Sequence, residues 1–320
     1  MVNPPVGHLV ADIGGTHSRL ALAADHLRAV KVFDNTGFSG LEDVIDAYLQ
    51  DLDAAARPFT AAIAVACPVG EDTFRLTNLG WTVSTEALRR HFGFEALHIF
   101  NDFAAAALAI PGLGQDDVLA IGEGTAVPGR PIALIGPGTG LGVAALVPCG
   151  SGWVPVASEG GHVTLAAVTD EEEKLIAALR RKLGHVSAER LLSGPGLVLL
   201  YQCVAGTDAA GLTPEAITRL AVSGDDPVAV RVMGHFLAML GTVAGNLALT
   251  LGAQGGVYLA GGILPDLAAQ LQASPFRERF MDKGRYRDYL NAIPTVLITK
   301  EHPALAGLAA WLQEQYGGAE

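Results

Sequence analysis

One local pattern occurs twice in this chain, at positions far apart: an apolar segment, a glycine-rich turn and a second apolar segment. Each copy predicts a strand, a tight turn and another strand. The repetition predicts two related lobes, each presenting a glycine turn to one ligand. The copies are Leu9–Ile13, Gly14–Thr16 and Leu20–Ala23, and then Pro131–Ile135, Gly136–Gly142 and Val143–Val147.

Glycine turns between strands are suited to binding anions. Without a Cβ atom, the backbone N–H groups can approach a phosphate closely, and threonine hydroxyls add further donors. Gly14-Gly15-Thr16 and Gly138-Thr139-Gly140 both have this composition. Either turn alone is equally consistent with an ordinary hairpin. A third glycine pair, Gly261-Gly262, follows the predicted strand Gly256–Ala260 and favours the phosphate interpretation.

Two other phosphate-binding architectures do not fit the sequence. A P-loop needs a lysine directly after a glycine, and no lysine of this chain has one before it. A dinucleotide fingerprint opens a helix, whereas the segment from Gly138 to Gly142 leads into an apolar run typical of a strand. A P-loop kinase is therefore excluded, and dinucleotide binding is the weaker interpretation.

The composition sets the class of protein. A length of 320 residues allows two domains, and 50% hydrophobic with 17% charged residues predicts a globular chain with sizeable cores. A net charge of −12 without any dense basic run argues against binding to nucleic acid or to anionic membranes. No signal peptide or uninterrupted apolar span is apparent, so we expect a cytoplasmic protein. Cys67, Cys149 and Cys203 are isolated, which predicts small core residues rather than disulfides or a zinc site.

Hydrophobic spacing predicts a β-β-β-α opening, a buried strand at Ala61–Ala66 and a helix capped by Ser84. A strand at Ala96–Phe100 precedes an Ala-rich helix that begins at Phe103 and stops before Pro111. The second half is mainly helical, with a strand after Pro294 and a closing helix. Its predicted helices are Glu171–Leu183, Ser193–Val204, Pro214–Val222, Pro227–Leu251 and Pro303–Tyr316.

Two short motifs carry polar chemistry. Asn101-Asp102 follows the strand at Ala96–Phe100, the position where site residues collect in open α/β sheets, and Asp102 is the best candidate for a general base. The pair is equally typical of a helix cap. Glu159-Gly160-Gly161-His162 places a carboxylate and an imidazole where both can enter one pocket, as a polyhydroxylated ligand requires. An ordinary polar turn gives the same pattern, and a single histidine makes a metal site improbable.

Taken together, the motifs resemble those of bacterial glucokinases, in the hexokinase group of the actin-like ATPase superfamily. The resemblance runs nearly from end to end of the chain. Its segments are Ala11–Thr16, Thr77-Asn78, Phe100–Phe103, Gly136–Gly142, Glu159–His162, Ser187–Gly196 and Leu259–Ile263.

The resemblance implies an α/β, two-lobed actin-like ATPase (ribonuclease H-like) fold, with mixed β-sheets flanked by helices and an interlobe cleft. It implies ATP-dependent phosphorylation of glucose at the 6-hydroxyl, Mg²⁺ as cofactor and a homodimer. Asp102 would be the catalytic base and Asp12 would touch the water shell of the metal, which needs no direct protein ligand. Sugar hydroxyls would be held by Asn78, Asn101, Asp102, Glu159, His162 and Glu189, the phosphates by Gly14, Gly15, Thr16, Gly138 and Thr139, and Gly261 and Gly262 would flank the adenosine.

The spacing of residues alone does not assign Glu189, for which an exposed carboxylate at a helix end is the simpler interpretation. We expect a small lobe of residues 1–112 with 303–320 and a large lobe of residues 113–302. A kinase for mannose, fructose or an N-acetylated amino sugar is an alternative with the same reaction. A non-catalytic sugar sensor or transcriptional regulator is a further alternative, although the first strand begins near Leu9 and leaves no room for an N-terminal DNA-binding helix-turn-helix.

Overall fold

The computed structural model describes residues 7–52, 58–70, 72–76, 78–206 and 211–317, and Thr77 lies outside these ranges. The chain forms two compact units, one of residues 1–113 with 301–320 and the other of residues 114–300. Elements are labelled in chain order.

The first unit contains a five-stranded sheet in the order β3-β2-β1-β4-β7. β1, β2 and β3 are antiparallel neighbours, whereas β1, β4 and β7 run parallel. β5 and β6 form a separate hairpin. The elements are β1 His8–Ile13, β2 His17–Ala23, β3 Leu27–Asp34, α1 Leu41–Gln50, β4 Thr60–Val65, β5 Thr73–Leu76, β6 Trp81–Ser84, α2 Thr85–Phe92, β7 Ala96–Asn101, α3 Asp102–Leu108 and α12 Pro303–Tyr316.

The second unit contains a six-stranded sheet in the order β11-β10-β9-β12-β13-β8. β9, β10 and β11 are antiparallel neighbours, β9, β12 and β13 run parallel, and β8 joins β13 in antiparallel fashion. The elements are β8 Val118–Gly122, β9 Ile132–Pro137, β10 Leu141–Cys149, β11 Gly152–Ser158, α4 Asp170–Leu183, α5 Ala188–Leu191, α6 Gly194–Ala205, α7 Pro214–Ser223, α8 Pro227–Leu251, β12 Val257–Leu259, α9 Ala268–Ala273, α10 Phe276–Met281, α11 Arg287–Asn291 and β13 Thr295–Ile298.

Five strands of the second sheet repeat the topology of the first. In each set, a hairpin supplies the first two strands in chain order, a third strand extends the hairpin, and two parallel strands follow on the other side. β8, which precedes the second hairpin in the chain, adds a sixth strand beside β13. β9 and β10 therefore occupy the positions that β1 and β2 occupy in the first unit. The repeated pattern in the sequence corresponds to a repeated architecture, and each glycine turn lies inside the equivalent hairpin.

Each unit has its own apolar core. In the first, α3 and α12 cross so closely that a Cβ atom on Gly307 would overlap the carbonyl oxygen of Ala105. In the second, α8 is the central helix and most of its apolar residues are fully buried. Among the described residues, α8 alone is long and apolar enough to cross a bilayer, but 72% of its most apolar stretch is buried inside the protein, as is typical of a core helix.

Most of the predicted elements are confirmed. Ser84 caps α2 by accepting a hydrogen bond from the Ala87 N–H, and α4, α7, α8 and α12 lie where the apolar spacing placed them. Ser193 is the cap of α6 rather than its first residue. The prediction of core cysteines is right for Cys67 and wrong for Cys149, which ends β10 and is exposed. Cys149 is exposed because it lies next to the turn that leads into the edge strand β11.

Candidate active site

The first glycine turn is held by a buried asparagine. The turn closes with a hydrogen bond from the Gly14 N–H to the His17 oxygen, at 3.0 Å. Asn35, 2% exposed, donates its side-chain amide to the Gly14 oxygen and its backbone N–H to the Thr16 oxygen, both at 2.9 Å. The Ser18 hydroxyl donates to Asn35 Oδ1 at 2.6 Å, so the brace is neutral and fully paired.

Asn78 lies over this turn. Its side-chain nitrogen is 3.2 Å from the position that a Cβ atom on Gly15 would take. Gly15 and Thr16 are themselves exposed. A small residue at position 15 therefore leaves room for both the Asn78 amide and an approaching ligand.

Asp12 is near the end of β1, with 19% of its side chain exposed. Burial raises the pKa of its carboxyl group, and the positive charges of Arg19 and His302 oppose this increase. The nearest guanidinium nitrogen of Arg19 is 3.5 Å from the carboxylate. His302 takes a left-handed backbone conformation, with φ of 52°, directly before α12.

Asn101 and Asp102 mark the change from β7 to α3. Asn101 Oδ1 accepts hydrogen bonds from the N–H groups of Phe103 and Ala104 at 3.1 and 3.2 Å, so its interpretation as a helix cap is confirmed. Its amide nitrogen makes no hydrogen bond within the described part of the chain and is able to donate to a ligand. Asp102 begins α3, and its Oδ1 accepts from the Phe103 N–H at 2.8 Å.

The register of the parallel strands puts these groups at one edge of the first sheet. Ile13 at the end of β1 is level with Val65 of β4, and Val65 is level with Asn101 of β7. Neighbouring strands lie about 4.8 Å apart, so the ends of β1 and β7 are separated by about 10 Å. The glycine turn and the carboxylate of Asp102 thus leave the same edge, where ligands bind in open α/β sheets.

The second glycine turn is held by two groups from one later segment. Within the turn, the Gly138 N–H donates to the Gly140 oxygen at 2.8 Å. The Gly194 N–H, at the start of α6, donates to the Gly138 oxygen at 2.8 Å. The Leu141 N–H donates to Glu189 Oε2 at 3.0 Å, so here the brace includes a carboxylate.

Gly261 and Gly262 lie directly against this second turn. Gly261 has φ of 92°, and a Cβ atom there would overlap the Pro137 oxygen. The Ala260 N–H donates to the Ile135 oxygen at 3.0 Å, and the Gly262 nitrogen is 4.0 Å from the Cβ position of Gly138. The structure therefore brings the predicted adenosine-side glycines together with the predicted phosphate turn of the same unit.

A carboxylate–imidazole–carboxylate cluster lies beside the second turn. His162 Nε2 is 3.7 Å from Glu159 Oε2, and His162 Nδ1 is 3.7 Å from Glu189 Oε1. Glu159 and His162 are more than half exposed, whereas Glu189 is 32% exposed. The cluster offers carboxylate acceptors and an imidazole at neighbouring positions, as a ligand with several hydroxyl groups requires.

Comparison with known proteins places the chain in a family. The sequence profile of the family described as glucokinase matches residues 9–315. The glucokinase of Paramagnetospirillum magneticum is 48% identical over 307 residues, which is 94% of this chain and 96% of that protein. The chain belongs to the glucokinase family. The glucokinase of Nitrobacter hamburgensis is 46% identical, over 94% of this chain and 95% of that protein.

Solved glucokinase structures resemble the chain along its whole length. The crystal structure of a glucokinase from an Antarctic psychrotroph has a TM-score of 0.88 and 38% identity, and the match covers 97% of this chain and 100% of that one. A glucokinase from Balamuthia mandrillaris, crystallised with glucose, has a TM-score of 0.79 at 22% identity and is similar in fold. Both the predicted family and the predicted actin-like ATPase fold are confirmed.

Two residues that hold the glycine turns were not among the predicted site residues. Asn35 and Gly194 hold the turns, and no local signal in the sequence marks Asn35. Gly194 follows Ser193 in a Ser-Gly-Pro-Gly run, which is a recognisable start of a helix. Among the described residues, no group of three or more His, Cys, Asp or Glu side chains is arranged to hold a metal ion.

Proposed function

We propose that this member of the glucokinase family transfers the terminal phosphoryl group of ATP to the 6-hydroxyl of glucose, giving glucose 6-phosphate and ADP. The observation that carries the proposal is the edge of the first sheet, where a glycine turn and the carboxylate of Asp102 follow parallel strands about 10 Å apart. That arrangement offers a phosphate cradle and a base within the span of a hexose and a phosphoryl group.

In this proposal Asp102 is the general base. It accepts the proton of the 6-hydroxyl as the bond from that oxygen to phosphorus forms and the bond from phosphorus to the ADP oxygen breaks. The electron pair of the broken bond leaves with ADP. Asn101 donates its amide to a neighbouring sugar hydroxyl while its oxygen continues to cap α3, and Asn78 completes the polar groups of the first unit.

The second unit supplies further sugar contacts. Glu159 and Glu189 accept hydrogen bonds from sugar hydroxyls, and His162 lies between them at 3.7 Å from each. Two carboxylates and one imidazole hold several hydroxyls at once, which fixes the orientation of the ring. A rigidly held sugar presents one hydroxyl to the base, and this accounts for transfer to a single position.

Backbone donors bind the nucleotide. Gly14, Gly15 and Thr16 from the first unit and Gly138 and Thr139 from the second hold the phosphates, and Gly261-Gly262 flanks the adenosine. The chain has no P-loop lysine, so stabilisation of the transferred phosphoryl group rests on preorganised N–H groups and on a bound cation. The braces around both turns support this role, because they fix the donors before the ligand arrives.

We propose Mg²⁺ as the cation, with Asp12 contacting its water shell. A partly exposed carboxylate is the oxygen donor that Mg²⁺ prefers, and the ion usually keeps several waters when it binds phosphates. When bound, Mg²⁺ neutralises charge between the β- and γ-phosphates. Burial and the nearby Arg19 keep the Asp12 side chain fixed near the end of β1, which suits contact through water rather than direct ligation.

The proposal extends to the organisation of the enzyme. We propose a small lobe of residues 1–112 with 303–320 and a large lobe of residues 113–302. The division into compact units falls within two residues of these bounds. We further propose that the enzyme is a cytoplasmic homodimer.

A panel of sugars tests the substrate. Purified chain with ATP and Mg²⁺ is assayed for ADP release with glucose, mannose, fructose and N-acetylglucosamine, and the product is identified by ³¹P NMR. We expect glucose to give the highest kcat/KM and glucose 6-phosphate as product. A higher kcat/KM for another hexose would show that this hexose, and not glucose, is the preferred substrate. The absence of ADP release with every sugar would overturn the kinase assignment.

A further inference from the structure

Glu189 uses its two carboxylate oxygens for different purposes. Oε2 accepts the Leu141 N–H at 3.0 Å, directly after the second glycine turn. Oε1 faces His162 Nδ1 at 3.7 Å, inside the carboxylate–imidazole cluster. With 32% of its side chain exposed, Glu189 is accessible to a ligand on one side and fixed to the backbone on the other.

The segment that carries Glu189 also holds the turn at a second point. Residues 187–196, called the brace segment here, include Gly194, whose N–H donates to the Gly138 oxygen at 2.8 Å. The brace segment is also bonded to the residue directly after His162, because the Ala188 N–H donates to the backbone oxygen of Val163 at 2.8 Å. Hydrogen bonds of this one segment therefore reach both the backbone next to His162 and the second glycine turn.

Gly140 is the point where this connection depends on the absence of a side chain. A Cβ atom on Gly140 would lie 2.5 Å from Glu189 Oε2, so the carboxylate occupies the space that any other residue would fill. Gly138, two residues earlier, is different. The atom nearest to its Cβ position is the Gly262 nitrogen at 4.0 Å, and no part of Glu189 is within reach.

We propose that Glu189 is a positioning residue that couples sugar binding to the conformation of the second phosphate turn, and that Gly140 is a glycine because it must admit this carboxylate. The inference rests on the proposed function for the identity of the two ligands. A sugar hydroxyl bound at Oε1 restricts the carboxylate, and Oε2 then holds the Leu141 N–H and the turn in the geometry that binds phosphate. By linkage, a nucleotide bound to the turn favours sugar binding by the same factor.

The first test compares two glycine variants by isothermal titration calorimetry with glucose in the absence of nucleotide. We expect Gly140→Ala to weaken glucose binding by about tenfold, because the new methyl group displaces the Glu189 carboxylate. Gly234→Ala is the matched control in α8 of the same unit, because its new methyl group meets nothing within 4 Å, and its glucose binding should equal that of the wild type. Equal glucose affinities for the two variants would overturn the inference, whereas a wild type that binds no glucose would instead overturn the proposed function.

The second test uses Glu189 itself and measures ATP binding without sugar. In Glu189→Gln the amide oxygen can still accept the Leu141 N–H, so we expect ATP affinity to match the wild type while glucose affinity falls. In Glu189→Ala the N–H loses its partner, and ATP affinity should fall by about fivefold although no nucleotide contact has been removed. Wild-type ATP affinity in a folded Glu189→Ala variant, checked by circular dichroism, would show that the carboxylate does not position the turn.

Discussion

The two glycine turns have the same place in equivalent hairpins but are held by different chemistry. A neutral amide, that of Asn35, fixes the first turn from a position that is 2% exposed. An acidic side chain, that of Glu189, fixes the second from a position that is 32% exposed and faces His162. A buried neutral brace is inaccessible to a ligand, whereas a partly exposed carboxylate is accessible to one.

The ends of the equivalent outer parallel strands differ in the same way. β7 ends at Asn101 and is followed by Asp102, the proposed base. β13 is followed by Thr299-Lys300, and the Lys300 amine pairs with Asp117 Oδ1 at 3.0 Å. The backbone N–H groups of Thr299 and Lys300 also donate to the backbone carbonyl oxygen of Asp117. One strand end thus presents the carboxylate of the proposed base, while the other is occupied by structural bonds.

The largest effect on stability is expected from the charged scaffold of the second unit. Glu172, 1% exposed, accepts two hydrogen bonds from Arg279, and Arg279 also donates to Thr242. Replacing one partner leaves an uncompensated buried charge, so Glu172→Gln should lower the free energy of unfolding by about 3–5 kcal/mol, measured by urea denaturation. Glu171→Gln is the matched control, because its exposed pair with Arg231 should contribute less than about 1 kcal/mol.

The same carboxylate predicts the dependence of stability on pH. Burial alone would raise the pKa of Glu172, but the hydrogen bonds from Arg279 and from the Val168 N–H outweigh burial and lower it below its ordinary value of 4.5. The folded state therefore binds fewer protons than the unfolded state, and the stabilisation is complete above pH 4.5 and disappears as the pH falls through the lowered pKa. The gap in unfolding free energy between wild type and Glu172→Gln should shrink in acid. A difference that grows in acid would show that folding raises the pKa of Glu172 instead of lowering it.

A smaller effect is expected from the neutral brace. Asn35→Ala leaves the Gly14 oxygen and the Ser18 hydroxyl without this partner, which should cost about 1–3 kcal/mol in the free energy of unfolding. ATP binding should weaken because the first turn is no longer fixed, while glucose affinity without nucleotide should stay at its wild-type value. Thr36→Ala, at an exposed neighbour, is the control. A loss of glucose affinity in Asn35→Ala would remove the distinction between the two turns.

The smallest effect is expected at the start of α6. Ser193→Ala removes the cap on the Gly196 N–H at 3.1 Å and should cost about 1 kcal/mol. Ser84→Ala removes the equivalent serine cap of α2 in the first unit, on the Ala87 N–H at 3.1 Å, at a similar cost. Titration with ATP should show weaker binding for Ser193→Ala alone, because α6 carries the Gly194 N–H. The same loss in both variants would mean that the contact from Gly194 is unimportant.

Much of the fold was predictable because its signals are local. The hairpins around Gly14 and Gly138 and the long helices rest on apolar spacing and on turn residues close together in the chain. Short or exposed strands gave little signal, and β5, β6, β8 and β11 were not predicted. Cys149 was wrongly placed in the core, because the identity of a residue as cysteine does not indicate how close it lies to the end of a strand.

The candidate site was predictable in part, for the same physical reason. Asp102 follows a strand end that the sequence marks directly. Glu189 bonds to a residue 48 positions away, and Asn35 bonds to a residue 21 positions away. Contacts at such separations produce no periodic pattern in the sequence. Glu189 was therefore found through the resemblance to glucokinases, and the interpretation from spacing, an exposed carboxylate at a helix end, missed its bond to Leu141. The braces of both turns needed the structure.

Asp102 is the proposed base that accepts the proton of the sugar hydroxyl, and every other step of the proposed reaction depends on it. The most direct measurement is the kcat of Asp102→Asn with glucose, ATP and Mg²⁺, together with its glucose affinity by calorimetry. We predict a loss of about 10²–10⁴-fold in kcat, because an amide cannot accept the proton, with glucose binding still measurable. A near-normal kcat in the folded variant would contradict the assignment of the base and, with it, the proposed mechanism.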